Sequence, residues 1–207
     1  MSRVLLNMAD LLLRSRANGP GVRSVAWVQG CALACAGCGN PHTHAHERKH
    51  LVDPVELGRR LAAVPETDGI TLSGGEPFEQ AKACALLAET VREAGRSVMV
   101  FSGYPYKVLQ ESSESAVQRF LATIDLLIAG PYVAARKHDG SLWRASTNQT
   151  IHALTDRLAH AVNEPSDTYP IVEITLDGKD LITTGFPNEQ EHQWLDELLI
   201  SLNPRAP

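Results

Sequence analysis

Three cysteines close together in a glycine-rich segment have the clearest capacity for chemistry in this chain. Cys31, Cys35 and Cys38 follow the spacing C-x3-C-x2-C, between Gly30 and Asn40. Thiolates this close in sequence can bind one soft metal centre. Structural zinc sites take four ligands, and ferredoxin clusters take four cysteines, but this segment supplies three. On an iron–sulfur cubane, three thiolates would leave one iron open to another ligand.

Other potential ligands leave an alternative open. Cys84 falls on the apolar side of a helix predicted over 79–94, which favours a role as a small buried side chain. A zinc site completed by a nearby histidine is the competing interpretation. The histidines that could complete it are His42, His44, His46 and His50. A solvated loop beside the cysteines is the simpler interpretation of this polar stretch.

The composition is that of an ordinary globular protein, which excludes disorder, collagen and coiled coil. Of the 207 residues, 43% are hydrophobic and 21% are charged. The net charge is -5 and the basic residues form no run, so we expect no nucleic-acid partner. The apolar start is interrupted by Asn7 and Asp10, and no stretch approaches the roughly 20 apolar residues of a membrane helix. We therefore expect a cytoplasmic protein with reduced thiols and no membrane partner.

The periodicity predicts an α/β fold in which strands alternate with helices. The predicted strands are 22–28, 69–72, 97–101 and 125–128, and the predicted helices are one opened by Asp53 as N-cap, 79–94 and 114–122. This alternation indicates βαβ units and a mostly parallel sheet. The cysteine segment, residues 73–75 and residues 102–103 each follow a strand. We therefore expect them at one edge of the sheet, where ligands of such folds bind.

The last third of the chain is less regular. Residues 130–150 read as irregular, and 151–160 do not distinguish helix from strand. Strands at 171–176 and 181–184 around Asp177-Gly178 are typical of an antiparallel hairpin with a type I′ turn, and a final helix is predicted over 188–202. We expect one domain over 1–207, with a core at about 18–152 and the hairpin and helix at about 170–203.

Several segments, taken in order, resemble a known family. The cysteine triad is similar to that of the radical S-adenosylmethionine superfamily. More narrowly, the chain resembles the activating enzymes of anaerobic (class III) ribonucleotide reductase from about Asn18 to His152. The matching segments are 19–23 (Gly-Pro-Gly-Val-Arg), 30–40, 71–77 (Thr-Leu-Ser-Gly-Gly-Glu-Pro), 102–104, 125–133 and 143–149. Four positions depart from the family pattern, namely Asn18, Gly37 (an aromatic in the wider superfamily), Gly39 and Ala145.

The resemblance implies a partial (β/α) barrel with one 4Fe-4S cluster and bound S-adenosylmethionine. The cluster would be held by Cys31, Cys35 and Cys38, with the amino and carboxylate groups of S-adenosylmethionine on the open iron. The residues implied around S-adenosylmethionine are Gly37, Cys38, Gly39, Ser73, Gly74, Gly75, Glu76, Ser102, Gly103 and Tyr104. The glycines of the 73–76 turn are expected to let its backbone approach the methionine moiety, and Glu76 to orient an ammonium group.

The implied reaction is reductive cleavage of S-adenosylmethionine to methionine and a 5′-deoxyadenosyl radical. That radical would take a hydrogen atom from a glycine Cα of a partner glycyl-radical enzyme such as anaerobic ribonucleotide reductase. Because the chain has four cysteines, a second cluster is not expected, and a flavodoxin or ferredoxin would supply the electron. Two alternatives remain: radical modification of a peptide or small metabolite, and a non-catalytic iron–sulfur electron carrier.

Overall fold

A seven-stranded sheet forms the centre of the computed structural model, which describes residues 3–137, 142–165, 172–177 and 180–186, and positions 190, 193–195 and 197. The strands are β1 (Leu6–Ser15), β2 (Arg23–Val28), β3 (His50–Val52), β4 (Gly69–Gly74), β5 (Ser97–Ser102), β6 (Leu126–Ala129) and β7 (Thr150–Ala153). Their order is β3-β1-β2-β4-β5-β6-β7. The central strands β2, β4, β5 and β6 are parallel, and β1, β3 and β7 join by antiparallel pairing.

In the part of the chain that the structure describes, four α-helices connect the strands of the large sheet. They are α1 (Pro54–Ala62), α2 (Ala81–Glu93), α3 (Tyr106–Gln110) and α4 (Ser115–Leu121). The Asp53 side chain accepts from the backbone N–H groups of Val55 and Glu56, both at 3.0 Å, so the predicted N-cap is confirmed. Short 3-10 segments stand at Pro41–Thr43, Pro77–Gln80, Ala134–Arg136 and Asp156–Asn163. Among the described residues, no helix is long and apolar enough to cross a membrane.

Arg23 begins β2 and ties together the amino-terminal ends of three parallel strands. Its guanidinium is fully buried and donates to the hydroxyls of Thr71 and Ser97 at 2.9 and 3.0 Å. Burial lowers the pKa of Arg23 to about 10, while Asp125 and Asp68 act in the opposite direction. The group therefore stays charged at neutral pH. Arg23 therefore occupies the amino-terminal ends of the strands, opposite the carboxyl ends.

The mostly parallel α/β architecture is confirmed, and the main differences lie at the sheet's margins. β1 was not predicted: it has ten residues, and its pairing with β2 carries two register irregularities. These break the alternation of buried and exposed side chains that marks a strand in a sequence. β3 and α3 were also missed, because three and five residues carry little periodicity. The segment 151–160 divides between β7 and the 3-10 segment that follows it.

The C-terminal hairpin is confirmed for its two strands. β8 (Val172–Asp177) and β9 (Asp180–Gly185) pair antiparallel as a separate two-stranded sheet. The predicted type I′ turn at 177–178 lies partly outside the described residues. The predicted helix over 188–202 also lies largely outside them, and its described positions 190, 193–195 and 197 are helical.

Candidate functional site

A cavity of about 530 Å³ opens at the carboxyl ends of the parallel strands. It brings together the three segments that the sequence placed at one edge of the sheet. The predicted residues on its wall are Cys31, Cys35, Gly37, Cys38, Gly39, Ser73, Gly74, Gly75, Glu76, Ser102 and Gly103. Tyr104, also predicted for the site, is absent from the described wall and packs instead against the main hydrophobic core.

The cysteine loop leaves β2 and is held by the segment that returns after it. Gly30 and Cys31 donate their backbone N–H groups to the carbonyls of Thr43 and His44, at 2.7 and 3.0 Å. Cys38 closes a turn onto the Cys35 carbonyl at 3.1 Å. The three thiols are free and half-buried. Burial raises the pKa of the Cys31 thiol, so binding a metal there includes the loss of a proton.

The donor set and the space around it fit an iron–sulfur cluster. Among the described residues, no three Cys, His, Asp or Glu side chains lie close enough to hold a metal ion in this conformation. Three soft thiol donors nevertheless share one cavity wall. Within the described part of the chain, a Cβ added at Gly39 would meet nothing within 4 Å. The loop is therefore unobstructed at Gly39, and its three thiols are the donor type that an iron–sulfur cluster takes.

Cys84 and the histidines take separate positions. Cys84 is fully buried in α2, and burial raises the pKa of its thiol well above the usual range, which agrees with its predicted core role. His42 and His44 lie on the cavity wall. The His46 Nε2 lies 2.6 Å from a carboxylate oxygen of Glu79, and the exposed His50 begins β3.

The glycines at the end of β4 are also required by a protein contact that the sequence did not show. Gly74 has φ +97°, and a Cβ on it would lie 2.7 Å from the Val28 nitrogen. A Cβ on Gly75 would lie 2.2 Å from the Gly30 carbonyl oxygen. Their missing side chains therefore let the end of β2 approach, and the close approach of a ligand to the same backbone stays a prediction. The backbone of the turn still forms part of the cavity wall.

Glu76 is buried and accepts hydrogen bonds from two neighbouring segments. Its Oε1 accepts from the Phe78 N–H and the Ser102 hydroxyl, both at 3.0 Å, and its Oε2 accepts from the Gly103 N–H at 2.7 Å. Burial raises the pKa of Glu76 to about 7, although these hydrogen bonds oppose the shift. A cation entering the cavity would favour the ionised carboxylate. The role of Glu76 in orienting an ammonium group stays a prediction.

We expect the free energy of unfolding of the apoprotein to fall as pH rises from about 4.5 to 7, because of Glu76. In that window the unfolded carboxyl has ionised while the folded one keeps its proton, since its folded pKa is raised to about 7 from 4.5. The loss amounts to about 3 kcal/mol once the folded group ionises. Urea unfolding of the wild type and Glu76→Gln at pH 5 and 8 checks this. Parallel pH dependence in the two proteins would contradict it.

Residues of the irregular 130–150 segment also reach the cavity, although none of them was among the predicted site residues. Tyr132 and Gln149 lie on the wall. The Tyr132 ring comes within 3.4 Å of the position that a Cβ of Gly37 would take. Gln149 joins the two ends of this segment, since its side chain accepts from the Ala145 N–H and donates to the Gly130 carbonyl, at 2.8 and 3.1 Å. Only the resemblance of segments 125–133 and 143–149 to the family could have pointed to these two residues, because an irregular loop has no periodic pattern.

Comparison with known proteins identifies relatives over the same part of the chain. Residues 17–152 match the family model described as 4Fe-4S single cluster domain. The anaerobic ribonucleoside-triphosphate reductase-activating protein of Vibrio cholerae is 31% identical over 146 residues, which cover 67% of this chain and 92% of that protein. Its namesake from Escherichia coli K12 is 30% identical over 151 residues, covering 66% of this chain and 92% of the relative.

A solved structure is also similar, but more weakly. The crystal structure of QueE from Escherichia coli matches with a TM-score of 0.33 and 14% identity, over 59% of this chain and 68% of that chain. This likeness is too slight to carry an argument about the site. The family match spans the cysteine loop and the strands from β2 to β6, and it ends within β7. The chain therefore belongs to the 4Fe-4S single cluster domain family, together with the anaerobic ribonucleoside-triphosphate reductase-activating proteins.

Proposed function

We propose that this protein is a radical S-adenosylmethionine enzyme that generates a glycyl radical on a partner enzyme such as anaerobic ribonucleotide reductase. One 4Fe-4S cluster is held by Cys31, Cys35 and Cys38. The observation that carries the proposal is the shared cavity, in which three free thiols face the turn at residues 73–76. The names of the relatives in Vibrio cholerae and Escherichia coli support the choice of partner.

The cluster, when bound, supplies the electron that breaks a carbon–sulfur bond of S-adenosylmethionine. The chain's own residues bind and orient that molecule. Glu76 is a buried carboxylate at the wall and suits an ammonium group, which would compensate the cost of its burial. Lys137 and Arg144 place cationic side chains on the same wall and suit a carboxylate. These opposite charges match the two ends of an amino-acid moiety.

The segment 130–137 helps to exclude water from the cysteine loop. Tyr132 and Ala134 both stand within 4 Å of the position that a Cβ of Gly37 would occupy. An apolar cover beside Cys38 protects a reactive radical from solvent. We infer that the partner enzyme completes the enclosure of the cavity and presents its glycine there.

We propose that the electron comes from a separate, acidic carrier such as a flavodoxin or ferredoxin. Arg48 and Lys49 are exposed on the loop that follows the cysteines, in a chain whose net charge is -5. Such a local basic surface favours approach of an acidic protein. The cytoplasm, where thiols and clusters remain reduced, is the compartment we propose for this chemistry. We also propose that residues 1–207 act as one domain.

The deciding experiment is an anaerobic incubation of reconstituted protein with reductant and S-adenosylmethionine, with and without anaerobic ribonucleotide reductase. We expect formation of 5′-deoxyadenosine to rise about tenfold with the partner, because the partner closes the site. Electron paramagnetic resonance should show a glycyl radical on the partner. The Cys35→Ala variant is the control and should give neither product.

Two other outcomes would contradict this function. Rapid multiple-turnover cleavage without any partner would favour an enzyme acting on a peptide or small metabolite. A reduced cluster whose spectrum does not respond to S-adenosylmethionine would favour an electron carrier. Turnover and cluster spectrum are both measured on the same reconstituted protein, so one preparation distinguishes the three functions.

A further inference from the structure

Glu79 joins the cysteine loop to the segment that returns after it. It lies in the 3-10 segment Pro77–Gln80, and its side chain is 19% exposed. Its Oε1 accepts from the backbone N–H of Ala32 at 2.7 Å. Its Oε2 lies 2.6 Å from the His46 Nε2, which donates to it. One carboxylate therefore holds the residue directly after Cys31 and, 14 positions further on, the returning segment.

His46 in turn covers the backbone just before the first cysteine. Gly30 has φ +105°, and a Cβ on it would lie 2.9 Å from the His46 Cδ2. The missing side chain lets the imidazole lie against this backbone. The neighbouring Ala45 carbonyl accepts from the Gln29 side-chain amide at 2.7 Å. The entry to the cysteine loop is thus held by the imidazole of His46 and by the hydrogen bond from the Gln29 side chain to the returning segment.

The Glu79 carboxylate takes the place of water at the backbone N–H of Ala32. Ala32 is an exposed residue of the loop. A bond from a backbone N–H to an ionised carboxylate is shorter and stronger than one to a neutral oxygen. Fixing the backbone at one end of the loop beforehand reduces the conformational entropy that ligand binding must overcome. Glu79 does not contribute a thiolate, so its effect on a cluster acts through Ala32 and His46.

We propose that Glu79 is a positioning residue that pre-organises the Cys31 end of the loop before the iron–sulfur cluster is assembled. The proposal deepens the proposed function, on which its cluster-based tests depend. In its absence the backbone after Cys31 is free to move, and the three thiolates meet a cluster less often in the right geometry. The consequence is weaker retention of iron rather than loss of the fold.

The wild-type apoprotein offers a first test that needs no variant. We expect the amide hydrogen of Ala32 to exchange about tenfold more slowly than that of Ala36, because Ala32 bonds to Glu79. Both alanines are exposed and lie in the same loop. Amide exchange measured by nuclear magnetic resonance checks this. Equally fast exchange at the two positions would overturn the proposal, whatever the protein's activity.

Two variants of Glu79 then distinguish an effect of loop positioning from an effect of the carboxylate's charge. Glu79→Ala removes both contacts, whereas Glu79→Gln keeps an acceptor oxygen for Ala32. We expect the alanine variant to lose iron to a chelator about tenfold faster than wild type, and the glutamine variant to stay within about twofold. Glu89→Ala is the matched control, since Glu89 pairs with exposed Arg119 away from the loop. Circular dichroism of each apoprotein confirms folding.

The outcomes are distinguishable from failure of the function itself. Equal iron retention in wild type and Glu79→Ala would overturn the positioning role. Equally fast loss in both Glu79 variants would also overturn it and would assign the effect to charge. If the wild type assembles no cluster, the proposed function fails. The rate of amide hydrogen exchange at Ala32 still tests whether the loop is pre-organised. If the alanine variant does not fold, that same exchange measurement decides.

Discussion

Replacement of Cys31, Cys35 or Cys38 by alanine is expected to reduce the iron content of the reconstituted protein from about four atoms per chain to nearly none. The three thiols share one cavity wall, and the fourth cysteine of the chain is buried in α2. Two remaining thiolates cannot replace the lost ligand. Iron and sulfide analysis, together with the visible absorbance of the cluster, measures the effect.

Cys84→Ala is the matched control for this experiment. It removes a fully buried sulfur from the core, so we expect unchanged iron and a loss of about 1 kcal/mol in the free energy of unfolding. If Cys84→Ala also lost its iron, the cluster would take all four cysteines. No iron would then remain open to S-adenosylmethionine, and the electron-carrier function would be favoured.

Gly75→Ala is expected to lower the free energy of unfolding by about 3 kcal/mol, through overpacking against backbone. The added Cβ would lie 2.2 Å from the Gly30 carbonyl oxygen and 2.8 Å from its carbon. Backbone cannot move aside as a flexible side chain can, so Gly30 must shift. Since Cys31 follows Gly30 directly, we also expect faster loss of iron. Urea unfolding of the apoprotein and iron release to a chelator measure the two effects.

Gly39→Ala is the control within the same site. In the described part of the structure its Cβ would meet nothing within 4 Å, so we expect a change within about 0.5 kcal/mol. A Gly75→Ala protein as stable as wild type would show that the end of β2 adapts. Close approach of the cofactor would then remain the reason for a glycine at this position.

Much of the parallel core could be predicted from local sequence. The apolar strands β2, β4, β5 and β6 are bounded by turn residues, and the helices between them have periodic apolar faces. A strand buried on both faces and an amphipathic helix each leave a local pattern, because burial repeats with the geometry of the element. The helix start at Asp53 and the burial of Cys84 follow from the same local rules. The cysteine spacing likewise needed no fold to indicate a metal centre.

Tertiary structure decided the contacts that join distant segments. β1 has several exposed side chains and an irregular register, so its strand exists because β2 and β3 pair with it. Gly75 is required by the backbone of Gly30, 45 positions away. Glu79 reaches the cysteine loop across 47 positions. Such requirements leave no periodic signal, because the partner is brought near by the folded sheet and not by the neighbouring sequence. Local residue types therefore determined which chemistry this protein can carry out, and non-local packing decided how its cysteine loop is held.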